Sequence, residues 1–429
     1  MKKMLGVVLL GLLCLSVCFA FVLNAGAQES AVDWWATYHH DEARTGYSTS
    51  AVPLTNQLLW NYTTGNAIDY SSPAVLNGIV YVGSDDSRVY ALNAENGVYL
   101  WSLKTGGAVD SSPTVDNGVV YVGSEDKKVY AIDAATGTAI WSYGTGGAVE
   151  SSPAVASGVV YVGSDDNKVY ALNSASGDKI WSYGTGSSVV SSPAVFSGVV
   201  YVGSEDHNLY AIDAATGTKL WSFGTSDQVE SSPTYANGIV YVGSDDYSVY
   251  AVNASNGSKI WSFGTGSYVT STPAVANGVV YIGSEDDNVY ALDAGSGSKI
   301  WSYPTGGAVD SSPAVAGVVV YIGSEDDNIY ALNASTGSTV WTYGTGNTIE
   351  SSPAIANGAL YVGSDDYSVY AFGSIFVAQP SLSPVMTAPP SVPELASQAI
   401  CIFLVGLFAA TVAVAFCSLR IKRTNGKAR

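Results

Sequence analysis

Between residues 58 and 373 the apolar positions fall in short runs, with no sustained helical stripe. The stretch from Ser151 to Thr185 shows the pattern: SSPAVA, a Ser-Gly step, VVYVGS, the polar tip DDNK, VYALN, the polar SASGD, and KIWSYGT. Runs rich in Val, Ile, Tyr and Trp, bounded by Gly, Asn, Asp and Ser, predict β-strands. The pattern returns every 40 residues. Tyr-Val/Ile-Gly-Ser begins at Tyr81, Tyr121, Tyr161, Tyr201, Tyr241, Tyr281, Tyr321 and Tyr361. A tryptophan recurs at Trp60, Trp101, Trp141, Trp181, Trp221, Trp261, Trp301 and Trp341. A Ser-Ser/Thr-Pro step ends at Pro73 and at each equivalent position up to Pro353, with one extra residue between Trp60 and Ser71. Four strands of about 5–6 residues and four turns of about 4 fill such a period. Each unit therefore predicts a four-stranded antiparallel sheet.

One such sheet cannot bury both faces alone, so the units must stack. Radial stacking leaves only short, protected edges, whereas an open solenoid needs polar capping repeats. The last unit carries no such cap. The chain enters the pattern at LLWNYTTG (58–65), a fourth strand alone, and leaves it at VYAFG (369–373), a third strand alone. The expectation is an all-β fold, an eight-bladed β-propeller of four-stranded antiparallel blades, whose first strand completes the last blade.

The pattern Ala131-x-Asp133-x-x-Thr136-Gly137-x-x-x-Trp141, repeated from Ala211 to Trp221, resembles the tryptophan-docking repeat of PQQ-like (pyrroloquinoline-quinone-type) propellers. Looser copies carry Asn for Asp (Asn93, Asn173, Asn253, Asn333), or Ser and Asn for Thr (Ser176, Ser296, Asn96, Asn256). The resemblance implies that the eight tryptophans pack flat between neighbouring blades. A large rigid ring with one N–H suits a repeated interface.

The flanks divide by composition. Lys2 and Lys3, the apolar Leu5–Leu23 stretch and Ala25-Gly26-Ala27 predict a signal peptide over residues 1–27. Residues 28–57 read as a strap ahead of the propeller, and DWWATYHHDEARTGYSTSAVP resembles the leader of PQQ-like propellers of prokaryotic surface proteins. His39 and His40 adjoin Asp41, but neighbours in an extended segment point in opposite directions, which argues against a shared ion. Residues 374–395 form a Pro/Ser-rich spacer. Residues 396–419 carry no charge and are long enough to span a bilayer as a transmembrane helix. Residues 420–429 form a basic tail that stays cytoplasmic, which places the propeller outside, at the cell surface, anchored through its C-terminus. Pro393-Glu394-Leu395 resembles PEF-type sorting signals processed at archaeal surfaces, with Leu in the third place. All four cysteines, Cys14, Cys18, Cys401 and Cys417, lie outside the repeats, so thiols contribute nothing there.

Charge sharpens the picture. Between Glu29 and Glu394 stand all 36 acidic residues and ten of the 17 basic ones, a net −26. Nucleic-acid binding wants a basic face and is excluded as a partner class. The acids recur as pairs: Asp85-Asp86, Glu125-Asp126, Asp165-Asp166, Glu205-Asp206, Asp245-Asp246, Glu285-Asp286, Glu325-Asp326 and Asp365-Asp366. A second set, Asp110, Glu150, Glu230, Asp310 and Glu350, precedes Ser-Ser-Pro steps. In an antiparallel blade both sets emerge on one face. They fit either solubility and turn geometry, or a Ca2+ or cationic-partner site, for which about six to eight oxygens must converge. The other face receives Lys179, Lys219, Lys259 and Lys299, with sequons at Asn253, Asn256 and Asn333, and a fourth at Asn61 on the first strand.

These readings assign no catalytic and no cofactor-binding residue. Near-identical units suit a non-catalytic, membrane-anchored surface module that binds or scaffolds an envelope or extracellular protein or glycan. Two alternatives remain open. One is a quinoprotein dehydrogenase using PQQ and Ca2+, which the resemblance alone suggests and which a vicinal cysteine pair would favour; the chain has none. The other is an envelope protein-assembly scaffold.

Overall fold

The structure, a computed structural model, describes residues 33–373. The expected signal peptide, the spacer, the 396–419 span, the basic tail and residues 28–32 of the strap lie outside the described residues. Among the described residues all regular structure is β, and no helix is long and apolar enough to cross a membrane.

Eight antiparallel sheets follow one another along the chain. Blade 3 is representative. Its innermost strand Ala154–Ala156 joins Val159–Ser164 through Ser157-Gly158, both at positive φ (52° and 79°). That conformation is the two-residue hairpin turn that matches strand twist, and it explains the Asn-Gly or Ser-Gly step between these strands in most units. Lys168–Asn173 and the outer strand Lys179–Gly184 complete the sheet. Trp181 lies opposite Ala171, and the register slips beside it, leaving Ile180 unpaired. The slip recurs in every blade. Such a bulge increases local twist.

Blades 1 to 7 run in sequence from residue 74 to residue 344, and blade 8 draws its outer strand from the start of the pattern. Leu58–Thr63 pairs antiparallel with Ser368–Gly373, Trp60 facing Ala371, and the ring is closed. The core lies between blades, where Val160, Val162, Val169, Ala171 and Leu172 are wholly buried. The Trp101 indole N–H donates to the Ala134 carbonyl of the next blade at 2.9 Å, and the Tyr81 hydroxyl donates to the same oxygen at 3.4 Å. Gly137 lies beneath that ring at φ +71°, where an added Cβ would come within 2.6 Å of the indole. The glycine of the repeat is thus required by the neighbouring blade's tryptophan. Six further indoles reach the following blade in the same way. Trp341 donates instead to the Pro53 carbonyl of the strap.

The two serines of each Ser-Ser-Pro step bind around the axis. The Ser71 hydroxyl donates to Ser111 O, and the same link repeats through every blade until Ser351 donates to Ser71 O, at 2.8–3.1 Å. Each of these hydroxyls also accepts the N–H of the glycine twelve residues on, as Ser71 does from Gly83. The relay satisfies buried polar groups that would otherwise cost about 1–3 kcal/mol each.

The strap runs inside the ring. Trp35, Ala36, Glu42, Ala43, Thr45 and Gly46 offer carbonyls to Val75, Val115, Val195, Tyr235, Val275 and Val315, at 2.6–2.9 Å. Tyr47–Ser48 adds a parallel strand to blade 7. The expected extended path fails at His39 and His40, which take positive φ (58° and 81°) in a turn. That turn brings Arg44 to the axis, wholly buried. The Arg44 guanidinium donates to the carbonyls of Tyr38, Ser152, Pro153 and Pro193 and to the Thr37 hydroxyl. All these acceptors are neutral.

Candidate functional site: an acidic funnel on the axis

The second-to-third loops and the blade-to-blade loops open on one end of the axis. There they surround a cavity of about 370 Å³, with Tyr38 of the strap at its base. The Tyr38 hydroxyl hydrogen-bonds Thr272 and Ser312, both at 2.9 Å. The residue before each Ser-Ser-Pro step points the chain's chemistry into this funnel: Asp110, Glu150, Glu230, Asp310 and Glu350 line it, with Val190, Thr270 and Tyr70 in the other three sectors.

The acidic pairs divide. The second members Asp86, Asp126, Asp166, Asp206, Asp246, Asp286, Asp326 and Asp366 each accept from the tyrosine four residues on, as Asp86 does from Tyr90 and Asp126 from Tyr130. Each also accepts a backbone N–H from the preceding blade's loop, at 2.6–3.0 Å. These carboxylates staple loop to loop. The first members Asp85, Glu125, Asp165, Glu205, Asp245, Glu285, Glu325 and Asp365 make neither of these bonds, and Glu205 and Glu285 line the funnel.

The extra residue of the first unit changes one sector. Ile68 takes the place that Val109 holds against the second-strand glycine, so Asp69 and Tyr70 stand where other blades have one residue. Asp69, Glu350 and Asp365 there bring one oxygen each within 4.8 Å of one another. Asp365 belongs to the acidic pairs and Glu350 to the second acidic set of the sequence, whereas Asp69 belongs to neither. The single-residue insertion is the signal that points to Asp69.

Crowding governs the protonation of this face. Burial, then Asp85 and Glu125, push Asp110 up to about 7. Burial and the neighbouring acids likewise push Glu150, Asp245, Glu285 and Glu325 up to about 7. Burial and the neighbouring Asp69 carboxylate push Glu350 up to about 8. Carboxylates that cannot all ionise together share protons or attract cations.

The remaining expected residues sit elsewhere. The ring nitrogens of His39 lie 2.6 and 2.9 Å from the backbone carbonyls of Arg44 and Pro313, which favour the charged ring. Burial outweighs them and lowers His39 to about 4, so the neutral ring donates to one carbonyl at a time. Burial opposes charge on His40, but a hydrogen bond to Asp33 and the nearby Asp41 carboxylate outweigh it and raise it to about 9. The two rings share no ligand atom position. Asn253 and Asn333 turn their amide oxygens onto backbone N–H groups of the third-to-fourth turns, whereas Asn61 and Asn256 are exposed.

No curated protein matches the sequence. Among solved structures, BamB from Moraxella catarrhalis is 20% identical, with a TM-score of 0.65 over 74% of this chain and 99% of that one. Quinohemoprotein alcohol dehydrogenase from Comamonas testosteroni is 16% identical, with a TM-score of 0.69 over 83% and 82%. The computationally designed protein Ika8 is 19% identical, with a TM-score of 0.67 over 74% and 100%. At such identities these likenesses show the fold. The profile of the family described as outer membrane protein assembly factor BamB matches residues 48–188, 144–232, 184–309 and 286–374. With well over half the chain matched, the protein belongs to this family of PQQ-like propeller repeats.

Proposed function

We propose that the chain is a non-catalytic, envelope-associated scaffold that takes a cationic segment of a partner protein into the acidic funnel. One observation carries this reading: carboxylates line the funnel on five of its eight sectors, and no lysine or arginine lines it. The field of a strongly negative surface focuses in such a cleft and draws in positive ligands, over a range of about 8 Å at physiological salt. The strap and Arg44 fill the axis beneath, so a partner docks at the mouth. The family's description as an assembly factor agrees with a protein partner. The apolar 396–419 segment would hold the propeller at the cell surface.

The dehydrogenase reading is favoured by the likeness to quinohemoprotein alcohol dehydrogenase and by Asp69, Glu350 and Asp365, hard oxygens of the kind Ca2+ accepts. The lining does not fit the quinone. That cofactor is a tricarboxylate, and the funnel offers it carboxylates and hydroxyls. All eight indoles donate to backbone carbonyls.

Photo-crosslinking from the funnel rim in native membranes, followed by mass spectrometry, tests the proposal. Lys- or Arg-rich partner peptides are expected with the wild type. They should be lost at high salt and in a variant combining Glu150→Gln, Glu230→Gln, Asp310→Asn and Glu350→Gln. Unchanged crosslinks in that variant would sink the docking reading. Dye reduction with alcohols after addition of PQQ and Ca2+ should not exceed a heat-killed control; turnover would favour the dehydrogenase.

A further inference from the structure

The face opposite the funnel departs from the repeat at two neighbouring positions. Blade 4 ends its innermost strand in Phe196, where five other blades have Ala156, Ala236, Ala276, Ala316 and Ala356. Blade 5 carries Tyr235 at the central position of that strand, where every other blade has Val or Ile. The two rings stack with centroids 3.9 Å apart and planes at 17°. Tyr235 lies in turn over Tyr201, at 6.0 Å and 14°. Phe196 ends this three-ring stack and is 41% exposed. Packing does not demand it, because alanine serves the same place in five blades.

Phe196 stands between two adjoining recesses of about 450 and 680 Å³. The smaller one also holds Glu42, Asp116 and Val155. The charge of His40 beside it is matched by Asp33 and Asp41. Asp41 further accepts from Thr45, both backbone and hydroxyl. Asp116 accepts only from the Asn117 side chain, and neither it nor Glu42 has a basic partner among the described residues. Six innermost strands give their central N–H to a strap carbonyl, but none of the strap carbonyls takes that of Val155.

We propose that this recess binds an arginine or lysine side chain carried on a peptide. The cation lies against the open face of Phe196 and is neutralised by Glu42 and Asp116, while a peptide carbonyl accepts the Val155 N–H. Cations are drawn to aromatic faces, and small sites pair an apolar wall with a few placed polar groups. This site lies on the other face from the funnel and does not depend on it.

Calorimetric titration of the full-length protein with acetyl-Gly-Arg-Gly-amide should give saturable binding. The citrulline peptide, which lacks the charge, should not bind. Phe196→Ala copies the residue of five other blades, so the fold is kept, and affinity should fall roughly threefold to thirtyfold. Glu42→Gln should weaken binding as well, while the four-fold funnel variant should leave it unchanged. Butylguanidinium, a single guanidinium without the carbonyl, should bind more weakly than the peptide; equal affinity would overturn the role of Val155. Equal affinity of the citrulline peptide, or of Phe196→Ala, would overturn the site.

Discussion

Asp85 and Asp86, like their seven counterparts, show how far one step along a chain can separate two carboxylates. Asp86 is held by a tyrosine hydroxyl and a loop N–H, whereas the Asp85 carboxylate makes neither bond. The sequence presents them as equals, because the distinction arises only when the loop of the preceding blade folds over the second member. The tryptophans were more legible. A single rigid donor recurring with a glycine four residues before it has few uses other than an interface, and the donated bond to the next blade's carbonyl is one that sequence can anticipate. Trp181 is buried and bonded to Ala214 O at 2.9 Å. Trp181→Ala should destabilise the propeller by about 3–5 kcal/mol, as for a large buried aromatic. Chemical denaturation would measure it, and a near-neutral result would mean the ring is not part of the packing.

At the scale of elements, the blades follow from alternation and turn residues, and the fourth-strand fragment at residues 58–65 told where the ring closes. The strap did not announce its course. Its contacts are backbone carbonyls meeting backbone N–H groups of six blades, and such bonds leave no mark on side-chain identity. Side chains of Thr37, Tyr38 and His39 add bonds to the blades, and the Arg44 guanidinium makes the most of any strap side chain at the axis. The guanidinium is buried with five neutral acceptors, so Arg44→Met removes the donors and leaves carbonyls unsatisfied. Each buried carbonyl left unsatisfied typically costs about 1–3 kcal/mol. The strap should loosen before the ring does, seen as faster hydrogen exchange at Val195 and Val315 while the second-strand amides of the blades stay protected. Simultaneous loss of protection throughout would show that strap and ring unfold as one.

For the whole molecule, the crowded acids make stability depend on pH. Asp110, Glu150, Asp245, Glu285 and Glu325 at about 7, and Glu350 at about 8, stand above ordinary carboxyl values near 4. Between those limits the folded state binds more protons than the unfolded one, so stability falls as pH rises from about 5 to 8. His40 adds to the trend, because its raised value stabilises the fold at low pH and is lost as pH climbs through about 9. His39, lowered to about 4, acts the other way below its ordinary 6.5, but it is one group against six. The melting temperature should therefore be higher at pH 5.5 than at pH 8. Neutralising Glu150, Glu230, Asp310 and Glu350 together should flatten the difference; a slope of the opposite sign would contradict the funnel's protonation.

The way the ring is latched also decides how it bears a load. Because Leu58–Thr63 occupies the outer edge of blade 8, the chain leaves the propeller from Ser368–Gly373, flanked on one side by that strand and on the other by Ala359–Ser364. A pull on residue 373 along its strand meets two ladders in shear, with many hydrogen bonds resisting at once. A pull on residue 58 finds a strand bonded along one side only, which can be peeled pair by pair. The carboxyl end of the propeller is thus its mechanically sound handle, and it is the end that leads toward residues 396–419.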